Sequence, residues 1–166
     1  PTGMVETFSS ANANAQYQEI AIDTEDEAVL MLEFEGGAIG SAIVSMVFAG
    51  KKNTTMLSVA GSKKSISWNS EELNELSLGY RDKANEVLTK DASLLHKQAA
   101  ALASYPSGHV EGFPDAFKNV FRQFYQSLSV SGDYDYATLE DGLHQMILCE
   151  AVYESAMSGQ WVAVRK

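Results

Sequence analysis

The chain has 166 residues, with 22 Asp and Glu against 12 Lys and Arg, a net charge of −10. Nucleic-acid modules neutralise phosphates with a basic face, whereas residues 1–50 hold eight acids and no Lys or Arg, so nucleic acid and anionic lipid are not expected partners. The length and the 45% hydrophobic content fit a single domain over 1–166, and the apolar stretch 42–49 falls far short of the roughly 20 residues that cross a bilayer.

Residues 27–80 read as strands. The β-rich runs 27–34 and 38–48 flank Glu35-Gly36-Gly37, a hairpin signal. The runs 54–60 and 65–68 flank a second turn at Gly61-Ser62-Lys63, and 75–80 alternates polar and apolar residues as a half-buried edge does. One further strand, over Val5–Phe8, and a polar loop are expected before the hairpin.

After Asp82 the period becomes helical. Asp91 suits an N-cap for a short helix carrying Leu94, Leu95 and Leu102. Pro114 suits the start of a second helix, whose Phe117, Val120, Phe121, Phe124, Tyr125 and Leu128 are expected to form a buried face. Thr138 and Asp141 have capping-box spacing for a third helix, with a stripe of Leu139, Leu143, Met146, Ile147 and Ala151 and a stop at Gly159. Gln160–Val164 reads as a last strand. Strands first and helices afterwards predict an α+β domain: a largely antiparallel or mixed open sheet with helices packed on one face.

No G-x-G-x-x-G and no G-x-x-x-x-G-K-[ST] occurs, and three scattered His with one Cys give no metal-ligand spacing. Cys149 sits in an apolar run, where a buried, inert thiol is expected, and a single Cys permits no internal disulfide. With no basic-then-apolar leader at its start, the expected compartment is the cytoplasm. The stretch that packing explains least is 105–115, Tyr-Pro-Ser-Gly-His-Val-Glu-Gly-Phe-Pro-Asp. Two Gly and two Pro there hold an irregular loop ahead of a helix, and His109, Glu111 and Asp115 are the titratable groups it could present to a ligand. A His so placed can hydrogen-bond a hydroxyl or carry a proton; alternatively His109 and Glu111 satisfy backbone groups of the loop.

Four segments, 27–41, 57–68, 105–117 and 136–142 with 155–162, together resemble the C-terminal domain of the glucose-fructose oxidoreductase, inositol dehydrogenase and rhizopine-catabolism family (Gfo/Idh/MocA). The resemblance covers roughly 20–165 and implies a dihydrodipicolinate-reductase-like α+β domain that supplies much of the substrate pocket and the subunit interface. It implies an intact NAD(P)-dependent oxidoreductase acting on a sugar or polyol, with NAD or NADP held by an N-terminal Rossmann domain. The nucleotide fingerprint, the Glu-Lys-Pro lysine and the Asp-x-x-x-His pair of that family belong upstream, so the chain is expected to be an excised half. It would then hold substrate-binding His109 and Glu111, no catalytic, cofactor or metal residue, and no bound nucleotide. A homodimer or homotetramer through the open sheet face is the expected assembly, because 38–48 is apolar on both faces. The competing reading is a non-catalytic sugar-binding or scaffold protein of the same fold, which fold alone cannot separate.

Overall fold

The structure, a computed structural model, describes residue 21 and residues 24–165. The expected strand Val5–Phe8 lies outside the described residues. The chain divides into two compact units, Pro1–Phe48 and Ala49–Lys166.

In the first unit, β1 (Glu27–Glu33) and β2 (Ile39–Ser45) form the expected antiparallel hairpin, with Val29 opposite Ile43 and Leu30 opposite Ala42. The turn closes where the Gly37 N–H donates to the Phe34 carbonyl at 2.8 Å, and Gly37 adopts φ 80°, which a side chain would resist. The period of two sorts the residues onto faces. Ala28, Leu30, Leu32 and Ala42 are half-buried, while Val29, Met31, Ile39 and Ile43 are exposed.

In the second unit, β3 (Met56–Ala60), β4 (Lys64–Asn69), β5 (Glu75–Tyr80) and β6 (Glu86–Thr89) form a meander in that order, every pair antiparallel. Three helices follow: α1 (Lys97–Ala100), α2 (Phe113–Ser127) and α3 (Leu139–Ser158). The fold is therefore α+β with antiparallel sheets, as expected. Among the described residues its hydrogen-bonded strands form two sheets, β1–β2 and β3–β4–β5–β6, rather than one, because no pairing joins β1 or β2 to β3–β6.

Several local expectations are corrected. β6 occupies sequence read as the onset of helical periodicity; Glu86-Val-Leu-Thr is too short to display a period, and its partner on β5 decides the matter. Asp91 caps no helix. Its Oδ1 accepts from the Ser93 N–H at 2.9 Å and hydroxyl at 2.7 Å, a local turn that competes with helix, and α1 is one turn long. Among the described residues Gln160–Val164 pairs with no strand, since alternation assigns faces but does not supply an edge to pair with.

The α2 face expected to be buried is exposed at all six positions, from 43% at Phe124 to 68% at Leu128, and the half-buried positions of the helix are instead Asp115, Asn119, Gln123 and Ser127. On α3 the half-buried positions are Ile147, Leu148, Ala151, Val152 and Ser155, while Leu139, Leu143 and Met146 are exposed. Apolar residues surround that helix, so the sequence spacing did not single out one face. Cys149 is exposed rather than buried, on the side away from Ile147 and Ala151. No hydrophobic side chain among the described residues is fully buried. The Thr138 cap and the Gly159 stop hold as expected, the latter with φ 65°.

Candidate functional site

The 104–112 loop is the later part of the 101–112 connection between α1 and α2, and the ends of β5 and β6 supply its anchor points. Asn74 immediately precedes β5 and Lys90 immediately follows β6; the Lys90 N–H donates to the Asn74 carbonyl at 2.7 Å, extending the ladder by one bond. Both side chains then reach the loop. Asn74 Nδ2 donates to the Glu111 carbonyl at 3.2 Å and Oδ1 accepts the Glu111 N–H at 3.3 Å. The amide thus imitates a strand's donor and acceptor pair.

Lys90 Nζ donates to the carbonyls of Tyr105 (3.3 Å) and His109 (3.0 Å) and to Glu111 Oε2. An ammonium has three donors, and the loop takes all of them. The Lys90 and Glu111 side chains are only 14% and 11% exposed, so the pair is largely removed from water. Glu111 Oε1 accepts the Ser104 N–H at 2.6 Å, which closes the other end of the loop. Burial pushes the Glu111 carboxyl up, but the hydrogen bonds from Lys90 and Ser104 and the Lys90 charge outweigh it and hold the group below its ordinary range.

Within the loop, the His109 N–H donates to the Pro106 carbonyl at 3.2 Å across a turn whose third residue, Gly108, has φ 79°. Positive φ at that position favours Gly. His109 is exposed, and its Nδ1 lies 3.4 Å from the Ser107 carbonyl. Ser107 also bonds Asp91; the Ser93 hydroxyl and N–H, then Ser107, hold the Asp91 carboxyl below its ordinary range.

At the start of α2 the Asp115 carboxylate takes the Gly112 N–H at 3.1 Å and the Lys118 ammonium at 2.8 Å. The Lys118 bond and then the Gly112 bond depress the Asp115 carboxyl, and Asp115 in turn raises Lys118. A Cβ on Gly112 would lie 2.9 Å from Leu73 Cδ1, so the helix start passes close to the β4–β5 connection. Beside this junction lies an open cleft of about 920 Å³. Trp68, Leu73, Leu95, Leu102 and Phe113 give it apolar walls, and Asn74, Lys90, Glu111 and Asn119 line its polar side. Trp68 is fixed there by Nε1 donating to the Leu73 carbonyl at 3.2 Å.

The structure therefore brings Glu111 into a network with Lys90 and Asn74, and sets His109 on the outside of the same loop. Sequence reading missed Lys90 and Asn74. Each is an isolated polar residue at a strand end, and nothing in the local spacing marks it.

The described residues do not fit a dinucleotide. Every strand pairing is antiparallel, so no strand–helix–strand crossover presents a glycine turn to a pyrophosphate. The starts of α2 and α3 carry Asp115, and Glu140 with Asp141, which occupy the positive helix ends with the chain's own carboxylates. No group of three or more His, Cys, Asp or Glu among the described residues could hold a metal, and no described helix is long and apolar enough to cross a membrane.

Residues 3–164 match the oxidoreductase family, C-terminal alpha/beta domain (Gfo/Idh/MocA). The chain belongs to that family. It is 25% identical over 146 residues to levoglucosan dehydrogenase of Pseudarthrobacter phenanthrenivorans, covering 86% of this chain and 37% of that protein. Among solved structures, an oxidoreductase from Pseudomonas syringae superimposes with a TM-score of 0.78 at 27% identity, over 85% of this chain and 41% of the other. An inositol dehydrogenase homolog complexed with NAD+ from Azotobacter vinelandii gives 0.77 at 26% identity, over 85% and 38%. The chain thus spans 37% of the length of the curated relatives it matches.

Proposed function

We propose that the chain is the substrate-binding and oligomerisation domain of an NAD(P)-dependent oxidoreductase that moves a hydride between a sugar or polyol carbinol carbon and nicotinamide. Family membership supports the reaction class, and the names of the levoglucosan and inositol dehydrogenases support the substrate class. The nucleotide would be held by residues outside this chain, whose described part offers it no cradle; the chemistry of hydride transfer belongs to the nucleotide. A cytoplasmic setting and a homo-oligomer formed through the open sheet face belong to the same reading.

The observation that carries the site is His109, held outward on a loop whose other polar groups are engaged with one another. When Nδ1–H points to the Ser107 carbonyl, the neutral ring keeps a lone pair on Nε2. That atom can accept a hydrogen bond from a substrate hydroxyl. Glu111 is its companion and contributes by holding the loop, both carboxylate oxygens being engaged.

The test is His109→Ala in the full-length protein, assayed on a panel of sugars and polyols with NAD and with NADP. The expected result is a loss of kcat/KM of tenfold or more, about 1.4 kcal/mol of transition-state binding, at unchanged melting temperature. Unchanged turnover with a lowered melting temperature would assign His109 to the loop's stability instead. The chain alone is expected to bind neither NAD nor NADP; calorimetry showing low-micromolar affinity would sink this part of the reading.

A further inference from the structure

We infer that Lys90 is a positioning residue for substrate binding: its ammonium latches the 104–112 loop to the end of β6 and so sets where His109 stands. The inference rests on the reading above that His109 meets the substrate.

Neutralising Glu111 would require one of the three Lys90 donors. The other two go to the carbonyls of Tyr105 and His109, which lie at either end of the Pro106–Gly108 turn. The ammonium therefore grips the turn itself, and one grip is on the backbone of His109. Any shift of the Lys90 head group moves that backbone. The grip is anchored twice. The Lys90 N–H bonds the Asn74 carbonyl at 2.7 Å, and the Asn74 side chain bonds both backbone groups of Glu111, so Lys90, Asn74 and Glu111 form a closed ring. A buried ion pair is a poor source of stability, whereas holding a ligand-contacting group at a fixed place is what such a ring does well. The loop spans two glycines and a proline and would otherwise sample many backbone states.

The test uses the full-length protein and two readouts. Lys90→Met keeps the aliphatic stem and removes the donors. Hydrogen exchange at the Ser104, His109 and Glu111 amides is expected to accelerate by tenfold or more, and the KM for sugar to rise by tenfold or more, while kcat and the KM for the nucleotide change by less than twofold. If Lys90→Met does not fold, Lys90→Arg replaces it. A planar fork cannot meet the three acceptors that one ammonium meets, so the sugar KM is expected to rise at least threefold there. An unchanged sugar KM in a folded variant, or a nucleotide KM that rises as much as the sugar KM, overturns the inference. If the wild-type protein turns over no sugar or polyol with either nucleotide, the functional reading has failed and the positioning role fails with it. The exchange rates, which need no substrate, then separate the two failures by reporting whether Lys90 latches the loop.

Discussion

Asn74 and Glu111, 37 residues apart, share a two-way hydrogen bond in which the side-chain amide of one serves both backbone groups of the other, at 3.2 and 3.3 Å. Backbone groups in a loop must find partners once they leave water, and an Asn amide is the side chain that presents a donor and an acceptor together. Asn74→Ala is therefore expected to strand a part-buried N–H and C=O and to cost about 1–3 kcal/mol in denaturant unfolding. Asn74→Asp keeps the acceptor, loses the donor and sets a carboxylate beside Glu111, so it should cost at least as much. Equal stability of wild type and Asn74→Ala would show that water replaces the amide without loss.

Acid should weaken the fold. The carboxyls of Glu86, Asp91, Asp115 and Asp141 are held below their ordinary range by hydrogen bonds from Lys83, Ser93, Lys118 and the Thr138 N–H respectively, and that of Glu111 by Lys90 and Ser104 against the opposing effect of burial. The folded chain thus holds fewer protons than the unfolded one in mild acid, and stability rises with pH there. The contribution is complete above the ordinary Glu and Asp values of 4.5 and 3.8 and is lost as pH falls through the lowered ones. Lys83 and Lys118 are raised by Glu86 and Asp115, so their part is complete below 10.5 and is lost as pH rises through the raised values. Urea midpoints measured from about pH 3 to pH 6 should climb, and less steeply in Glu111→Gln. A flat profile would contradict the ion-pair geometry.

The two ends of α3 should contribute separately. Thr138 Oγ1 accepts the Asp141 N–H at 3.2 Å while Asp141 Oδ2 accepts the Thr138 N–H at 2.8 Å, a complete capping box. Thr138→Ala should cost about 1 kcal/mol. Gly159, with φ 65°, ends the helix in the left-handed region, so Gly159→Ala should also cost about 1 kcal/mol. The helix has 20 residues, which at about 1.5 Å of rise each puts the ends about 30 Å apart. The double variant should therefore lose the sum. Marked departure from additivity in the unfolding free energies would show that the helix end and start are coupled.

The sequence was most legible where the determinant is local. Gly36-Gly37 marked the hairpin turn, the bounds 75–80 matched β5 although it lies between β4 and β6 rather than at an edge, and Thr138, Asp141 and Gly159 marked α3 because caps are read from three or four neighbouring residues. It was least legible where a distant partner decides. β6 is a strand because β5 lies beside it, Gln160–Val164 pairs with no strand among the described residues, and Asp91 turns back on Ser93 before a helix can start. The site shows the same division. The 105–115 composition pointed to the loop with His109 and Glu111, but Lys90 and Asn74 join it across 21 and 37 residues of chain, a distance that no local pattern encodes.

Self-association should run through the β1–β2 hairpin. Register places Val29 opposite Ile43 and Glu33 opposite Ile39 on one face, with Met31 between them, and Ala28 opposite Val44 and Leu30 opposite Ala42 on the other. A strand pair with one solvated face alternates apolar with polar residues; here the Val29–Ile43 face also carries Glu27, Glu33, Ser41 and Ser45, whereas the face of Ala28, Leu30, Leu32, Ala42 and Val44 is apolar throughout. On that apolar face Val44 is 61% exposed, and Met46, just past β2, is 77% exposed, so the uncovered side chains are the ones a protein surface normally hides. Two copies meeting on the same patch hide it with one isologous contact, and a second such contact elsewhere would extend a dimer to a tetramer. Sedimentation equilibrium at about micromolar concentration should give a mass at least twice the 18.0 kDa of the chain. Val44→Asp or Met46→Lys should disperse the assembly while circular dichroism stays unchanged, because a charge on an exposed strand position is tolerated by the monomer but not at a desolvated contact. A clean monomer in the wild type would rule the interface out, and an assembly that survives both substitutions would move it to another surface.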